Sequence, residues 1–301
     1  MAGRTLRGFG ENCRVNRRVS VTGVVFVVFC LAAYAVQALA QADIARLMAS
    51  LDAITGGDDG AARRNAIVAQ LKALDIQPTI GPFGEGRTAG ANIVVTLGNG
   101  EKTILIGAHY DRVSVGRGAV DNGASCAALL ELVAAFTASP LERSTLQIVF
   151  FDREENGLLG SRAYLAAGHR PDYAVNLDIF AYGDAIFAAV SHETGLLRRS
   201  LRAAGEAARL SVRDVPPTRY PGSDHLTMVG AGIETLGLAL IDADEIDGVI
   251  AAVTDKTAGK APRVLRLIHS PNDTLAEVRP EQMTRGIALV EDLLRRVDRG
   301  E

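Results

Sequence analysis

A continuous apolar run, TILIGA at 103–108, places the tightest limit on what this chain can become, and TLQIVFF at 145–151 reads as a further strand. TILIGA does not alternate polar with apolar residues, as a strand with one wet face does. It reads as a strand buried on both faces, the condition of a parallel sheet covered by helices. Stretches of helical spacing separate such runs. Apolar residues recur at three- and four-residue intervals over 44–54 and 61–74, and further helices are expected over 124–138, 158–167, 193–208, 224–229 and 281–297. Further strands are expected over 92–97, 173–177, 185–190, 233–241 and 264–268. Residues 75–91 read as a connection, Asn99-Gly100 as a hairpin signal, 213–222 as a Pro-rich loop and 242–261 as a flexible excursion. Strands alternating with helices define an α/β fold with a largely parallel sheet.

The N-terminus follows different rules. Five arginines against the single Glu11 occupy residues 1–18, an almost uncharged stretch runs from Val19 to Ala40, and the stretch closes on Ala38-Leu39-Ala40. This is the layout of a secretory signal peptide, and an uncleaved membrane anchor is the competing reading. The expected organisation is therefore an export segment or anchor over 1–40 and a single domain over 41–301. Without residues 1–40 the chain keeps 27 basic and 34 acidic residues, a net charge of −7 in place of −3. Such a surface does not suit nucleic acid. Cys13 and Cys30 leave with the segment, so Cys126 has no partner for a disulfide within the domain.

The apolar runs share one more property: each ends on a residue of metal-ligand type. TILIGA leads into His109-Tyr110-Asp111, LQIVFF into Asp152-Arg153-Glu154-Glu155, YAVNL into Asp178 and VLRLI into His269, while Asp121-Asn122 precedes the helix at 124. Ligands of open α/β sheets bind beyond the carboxyl ends of the strands. Two histidines with several carboxylates make an N/O donor set suited to Zn²⁺ and able to take Mn²⁺ or Co²⁺. A lone Asp or His at a strand end is ordinary; one placement repeated at five positions is not. Asp111 is spaced to orient His109 through the second ring nitrogen.

In combination, HYD (109–111), AVDNGAS (119–125), FFDREENGLLGS (150–161), NLD (176–178), YPGSDH (220–225) and IHSPNDT (268–274) resemble the co-catalytic zinc aminopeptidases of the bacterial leucyl aminopeptidase and aminopeptidase Y type. The resemblance covers about 44–298. It implies a single three-layer α/β/α domain with a mixed, mostly parallel sheet of about eight strands. It implies two Zn²⁺ per chain, one on His109 and Asp178, the other on Glu155 and His269, with Asp121 bridging. It assigns Glu154 as general base, Asp111 as the group orienting His109, and Tyr220 as a candidate for stabilising the oxyanion. The implied substrates are peptides with a free N-terminus, cleaved by a water that two zinc ions acidify and Glu154 deprotonates.

Three other readings share these residues: a single-zinc glutaminyl-cyclase-like acyltransferase, a non-catalytic ectodomain of the same fold, and a carboxypeptidase or dipeptidase. Ser223-Asp224-His225 reads as a structural turn with Ser223 as helix N-cap, Cys126 as a small core residue, and Asn122 as a support of the loop. His169 and His192 are expected at the surface.

Overall fold

The computed structural model describes residues 41–57, 59–255 and 259–301. The expected export segment, residues 1–40, lies outside them. The chain divides into a unit of Met1–Asp43 and a unit of Ile44–Glu301, and the second carries the fold. A helix over residues 41–55 (α1) opens it, with Leu47, Leu51 and Ile54 turned inward at helical spacing. Then come α2 (Gly60–Ala73), β1 (Thr79–Phe83), β2 (Gly90–Leu97), β3 (Lys102–His109), α3 (Ala124–Ala138), β4 (Ser144–Phe151), α4 (Leu159–Ala166), β5 (Tyr173–Phe180), β6 (Ala185–Val190), α5 (Leu196–Ala208), β7 (Ser211–Val215), α6 (His225–Gly230), β8 (Glu234–Ile241), α7 (Ile246–Thr254), α8 (Arg263–Leu267) and α9 (Pro280–Arg299).

The eight strands form one sheet in the order β1-β2-β4-β3-β5-β8-β6-β7. Its centre is parallel, β4 with β3, β3 with β5 and β5 with β8, and antiparallel partners flank it at β2 and β6. This is the mixed eight-stranded sheet the resemblance implies. Burial on both faces is visible residue by residue. In β3, Ile104, Ile106 and Ala108 join the larger core while Leu105 joins the smaller; in β4, Leu146, Ile148 and Phe150 join the first while Val149 and Phe151 join the second. The period-2 alternation of the strands therefore feeds two apolar layers, and the polar residues of the two runs, Thr103, Thr145 and Gln147, fall in their first halves. Ala119–Ala138 is apolar and long enough to cross a bilayer, yet most of it is buried inside the domain, the mark of a core helix.

Five local expectations are corrected. Residues 264–268 are helix α8, not a strand: Pro262 precedes the first turn, and Val264 and Leu267 are buried at i, i+3. Asn99-Gly100 does not close a hairpin, because β4 lies between β2 and β3. The turn instead crosses the start of β4, where Thr145 Oγ1 donates to the Gly100 carbonyl at 2.9 Å. A Cβ at Gly100 would stand 2.1 Å from the Arg143 carbonyl oxygen, so close approach is what this glycine serves. The connection 75–91 contains the edge strand β1, and 213–222 begins inside the other edge strand, β7. The excursion 242–261 contains α7, with Ile246, Val249 and Ile250 buried.

Candidate metal centre

The parallel strands β3, β4 and β5 end side by side, and the residues that follow them converge. His109 is the last residue of β3 and is buried. Its Nε2 lies 3.2 Å from Asp121 Oδ1 and 3.7 Å from Asp178 Oδ1. Asp178 sits near the end of β5, where pairing with β8 becomes irregular and Ile179 takes a φ of 57°. On the far side of Asp121, Oδ2 lies 3.0 Å from His269 Nε2, which is 3.2 Å from Glu155 Oε2. Two triads result, His109/Asp121/Asp178 and Asp121/Glu155/His269, sharing Asp121. His269 follows α8 rather than a strand, so three of the five ligands (His109, Glu155 and Asp178) meet the strand-end expectation, Asp121 precedes α3 as read, and His269 arrives from a helix.

These spacings answer whether a metal fits. Ligand atoms about 2.0–2.1 Å from a tetrahedral ion stand roughly 3.3 Å from one another. The four histidine–carboxylate distances in the triads run from 3.0 to 3.7 Å, and all ligand atoms of each triad lie within 4.8 Å of one another. Asp178 Oδ1 is buried with no hydrogen-bond partner among the described residues, a costly state that a cation relieves. The donor set is the N/O mixture zinc accepts.

The supports reach further than the ligands. Asp111 Oδ1 lies 3.4 Å from His109 Nδ1, the position of an orienting carboxylate. The same carboxylate accepts from the backbone N–H of Glu154 at 3.0 Å and of Glu155 at 3.2 Å. Asn122 Nδ2 donates to the Leu177 carbonyl at 3.0 Å and its Oδ1 accepts from Ile179 N–H at 3.2 Å, so it ties the Asp121 turn to the end of β5. Asp273, buried, accepts from Val120 N–H at 2.7 Å and Asp121 N–H at 3.2 Å. Arg63, fully buried, donates to the carbonyls of Arg117 and Gly118, each at 3.2 Å. Gly118 has a φ of 57°, and a Cβ there would stand 2.8 Å from Arg63 Nη1. Arg63 and Asp273 went unnoticed in the sequence. Asp273 lies within the quoted IHSPNDT, but a carboxylate that caps backbone N–H groups carries no ligand-type spacing.

Electrostatics follow the crowding. Burial, with the carboxylates of Asp178, Asp224 and Asp121, pushes Glu154 up to about 9. Burial and Asp121 raise Glu155 to about 7. The hydrogen bond to Asp121 takes His269 up to about 9. Burial opposes charge on His109, but Asp111, Asp121 and Asp178 outweigh it and hold its pKa well above the usual value. Burial works against ionised Asp121, yet its bonds to His109 and His269 hold it below the carboxylate range. A cation in each triad acts on these acids in the opposite sense to burial and favours their charged forms.

Tyr220 is buried, its ring 4.6 Å from Phe187 and edge-on to His225 at 5.3 Å. With Asp178, Ile179 and Leu265 it lines an apolar cleft beside the first triad. Ser223 does not cap α6; its Oγ accepts from Asn176 Nδ2 at 3.0 Å. Asp224 and His225 are buried and unpartnered among the described residues. His192 is exposed as expected, whereas His169 is half-buried and stacks on Tyr164 at 4.2 Å. Cys126 is a core residue whose thiol burial pushes up to about 12.

Paired nitrogen–oxygen triads that share a carboxylate, set at the mouth of a parallel sheet, define the class of protein: an α/β fold with a candidate two-ion centre. Within it the chain belongs to Peptidase family M28, whose profile matches residues 92–294. It is 36% identical over 94 residues to a vacuolar membrane protease of Verticillium alfalfae, a match covering 31% of this chain and 9% of that protein. Among solved structures it resembles BSAP, a zinc aminopeptidase from Bacillus subtilis, with a TM-score of 0.56 and 22% identity over 68% of this chain and 49% of that one. It also resembles Porphyromonas gingivalis glutaminyl cyclase, with a TM-score of 0.64 and 18% identity over 86% of this chain and 98% of that one. These likenesses establish the fold. The chain covers less than half of BSAP and under a tenth of the protease.

Proposed function

We propose that residues 41–301 form a zinc-dependent exopeptidase, an aminopeptidase that hydrolyses the N-terminal bond of peptides and holds two zinc ions per chain. The observation that carries this reading is the sharing of Asp121 between two triads of ligand spacing. Membership of a peptidase family and the likeness to zinc aminopeptidases support it. His109 and Asp178 would hold one ion, Glu155 and His269 the other, with Asp121 between. Bound zinc supplies Lewis acidity, polarising the scissile carbonyl and making water acidic near neutral pH.

The chain's own residues do the rest. Glu154 takes a proton from the attacking water and returns it to the leaving amine, the role of a general base and then acid. Asp111 fixes the His109 ring and, through two N–H bonds, the backbone of the Glu154-Glu155 pair. In this reading the narrow apolar cleft beside Asp178, about 20 Å³ as it stands, opens to take an apolar side chain of the substrate's first residue. Tyr220, in the wall of that cleft, would take the oxyanion role the resemblance assigns.

The glutaminyl cyclase likeness favours a second reading, a one-zinc acyltransferase, and metal content separates the two. Elemental analysis is expected to give two zinc ions per chain. Aminoacyl-coumarin substrates should be cleaved, N-blocked peptides spared, and chelator should abolish turnover. Glu154→Gln should lower kcat by about 10²–10⁴ with zinc retained. One zinc per chain with pyroglutamate formation, equal cleavage of N-blocked peptides, or full activity in the Gln variant each defeats the assignment it addresses. Residues 1–40 complete the proposal as an export segment or anchor, which N-terminal sequencing of the exported protein tests.

A further inference from the structure

The metal centre stands at the carboxyl ends of β3, β4 and β5, and a recess adjoins it on each side along the sheet. Towards β8 and β6 lies the apolar cleft of Tyr220. Towards β2 and β1 lies a larger polar recess of about 490 Å³, whose wall includes Asp59, Arg64, Asp111, Asp152, Arg153 and Asn156. Asp111 belongs to both places, orienting His109 and lining this recess. Arg153 and Asn156 bracket the Glu154-Glu155 pair.

Three carboxylates, Asp59, Asp111 and Asp152, share the wall with three arginines, Arg64, Arg112 and Arg153. Backbone N–H groups orient the three carboxylates, and among the described residues none of them forms an ion pair with Arg64 or Arg153. Asp59 Oδ1 accepts from Ala62 N–H at 2.8 Å. Asp152 accepts from Ala91 N–H and from Arg153 N–H, each at 2.9 Å. Asp111 accepts from Glu154 and Glu155. Arg153 donates only to neutral oxygens, Nε to the Ala89 carbonyl at 3.0 Å and Nη1 to Asn156 Oδ1 at 3.3 Å. Arg64 is half-buried and has no hydrogen bond or ion pair among the described residues. A partly desolvated guanidinium without a counter-ion is the natural partner of a carboxylate, which it can grip with two parallel N–H bonds. α2 begins at Gly60 in the same wall and adds the positive end of its dipole.

From this arrangement we infer that the polar recess is a carboxylate subsite on the leaving-group side, with Arg64 and Arg153 receiving the C-terminal carboxylate of a short peptide. The inference rests on the aminopeptidase reading. If the first residue's side chain occupies the apolar cleft, the rest of the substrate leaves across Glu154 towards β2, where the unpaired cation waits. The enzyme then prefers peptides just long enough for their free carboxylate to reach it.

The test uses the zinc-loaded full chain with Leu-Gly, Leu-Gly-Gly and Leu-Gly-Gly-Gly, each as free acid and as C-terminal amide. At one length or more, kcat/KM for the acid should exceed that for the amide at least tenfold, chiefly through KM. Arg64→Ala should bring the ratio within twofold of one, and Arg64→Lys should leave it between. General damage lowers both forms and cancels in the ratio. As a check that needs no variant, free Gly-Gly should inhibit leucyl-coumarin turnover at least tenfold more tightly than Gly-Gly-amide. A ratio near one at every length, equal inhibition by acid and amide, or a tenfold ratio that survives both Arg64→Ala and Arg153→Ala overturns the subsite. Leucyl-coumarin has no peptide leaving group, so failure to cleave it sinks the aminopeptidase reading and the subsite with it. Cleavage without carboxylate preference sinks the subsite alone.

Discussion

Asp273 and Asp111 do the same work at opposite ends of the metal centre. Each spends a buried carboxylate on two consecutive backbone N–H groups, and each thereby fixes a ligand's main chain: Asp273 that of Asp121, Asp111 that of Glu155. Asp273→Asn presents an amide N–H₂ to one of two buried donors. The expected result is a stability loss of about 1–3 kcal/mol in thermal unfolding, with zinc bound roughly 10–100-fold more weakly by competitive chelation. His225 carries a pH prediction. Burial depresses its pKa from 6.5 to about 4, so between those values the unfolded chain binds the proton and the folded chain does not. Stability contributed by neutral His225 is complete above about 6.5 and declines as pH falls towards 4, by about 3 kcal/mol. Asp224, raised by burial to about 7, has the opposite sign over the same range. The measurement is therefore the wild-type minus His225→Leu difference in unfolding free energy of the metal-free chain, which should narrow as pH drops. A difference that does not change with pH contradicts the assignment.

Among elements, those with both faces buried were legible and those at the edges were not. β3 announces itself because two apolar layers demand the unbroken apolar stretch Ile104–Ala108. β1 and β7 are five residues long, β1 contains Gly and Pro, β7 carries Arg213 and Asp214, and only Val215 of the ten residues is buried. The short run RVLRL satisfies a strand and a helix template equally, and tertiary packing decided for helix. The ligand set was readable because it rides on strand ends, whereas Asp273 and Arg63 act on backbone groups that folding alone brings near. One turn shows how little room the sheet leaves between elements. A Cβ at Gly183, between β5 and β6, would lie 1.6 Å from the Ile241 carbonyl carbon at the end of β8. Gly183→Ala should force the β5–β6 turn off β8 and abolish soluble expression, or lower the melting temperature by well over 10 °C if protein is recovered. A normal melt contradicts this packing.

For the whole molecule, the concentration of acid at one end of the sheet makes metal a part of its stability. Asp111, Asp121, Glu154, Glu155, Asp178 and Asp224 lie close enough for their charges to act on one another, in a domain whose net charge is already −7 without residues 1–40. Zinc at roughly a thousand times its Kd contributes about 4 kcal/mol. For a domain of this size that is roughly 8–16 °C in Tm. Differential scanning calorimetry with chelator and after zinc is restored should show a shift of that order, and an unchanged Tm contradicts the placement of metal in these triads.

The interposition of β4 between β2 and β3 has a consequence for the order of assembly. Two strands that are neighbours in the chain but not in the sheet cannot zip together as a local hairpin, so the centre of the sheet has no short-range nucleus on this side. Loop closure must be met before pairing rewards it, which slows folding. A fragment ending before residue 144 has β2 and β3 but lacks the strand that joins them. β1 and β2 can still pair in it, but β3 should show no protected strand amides in hydrogen exchange until 144–151 are present.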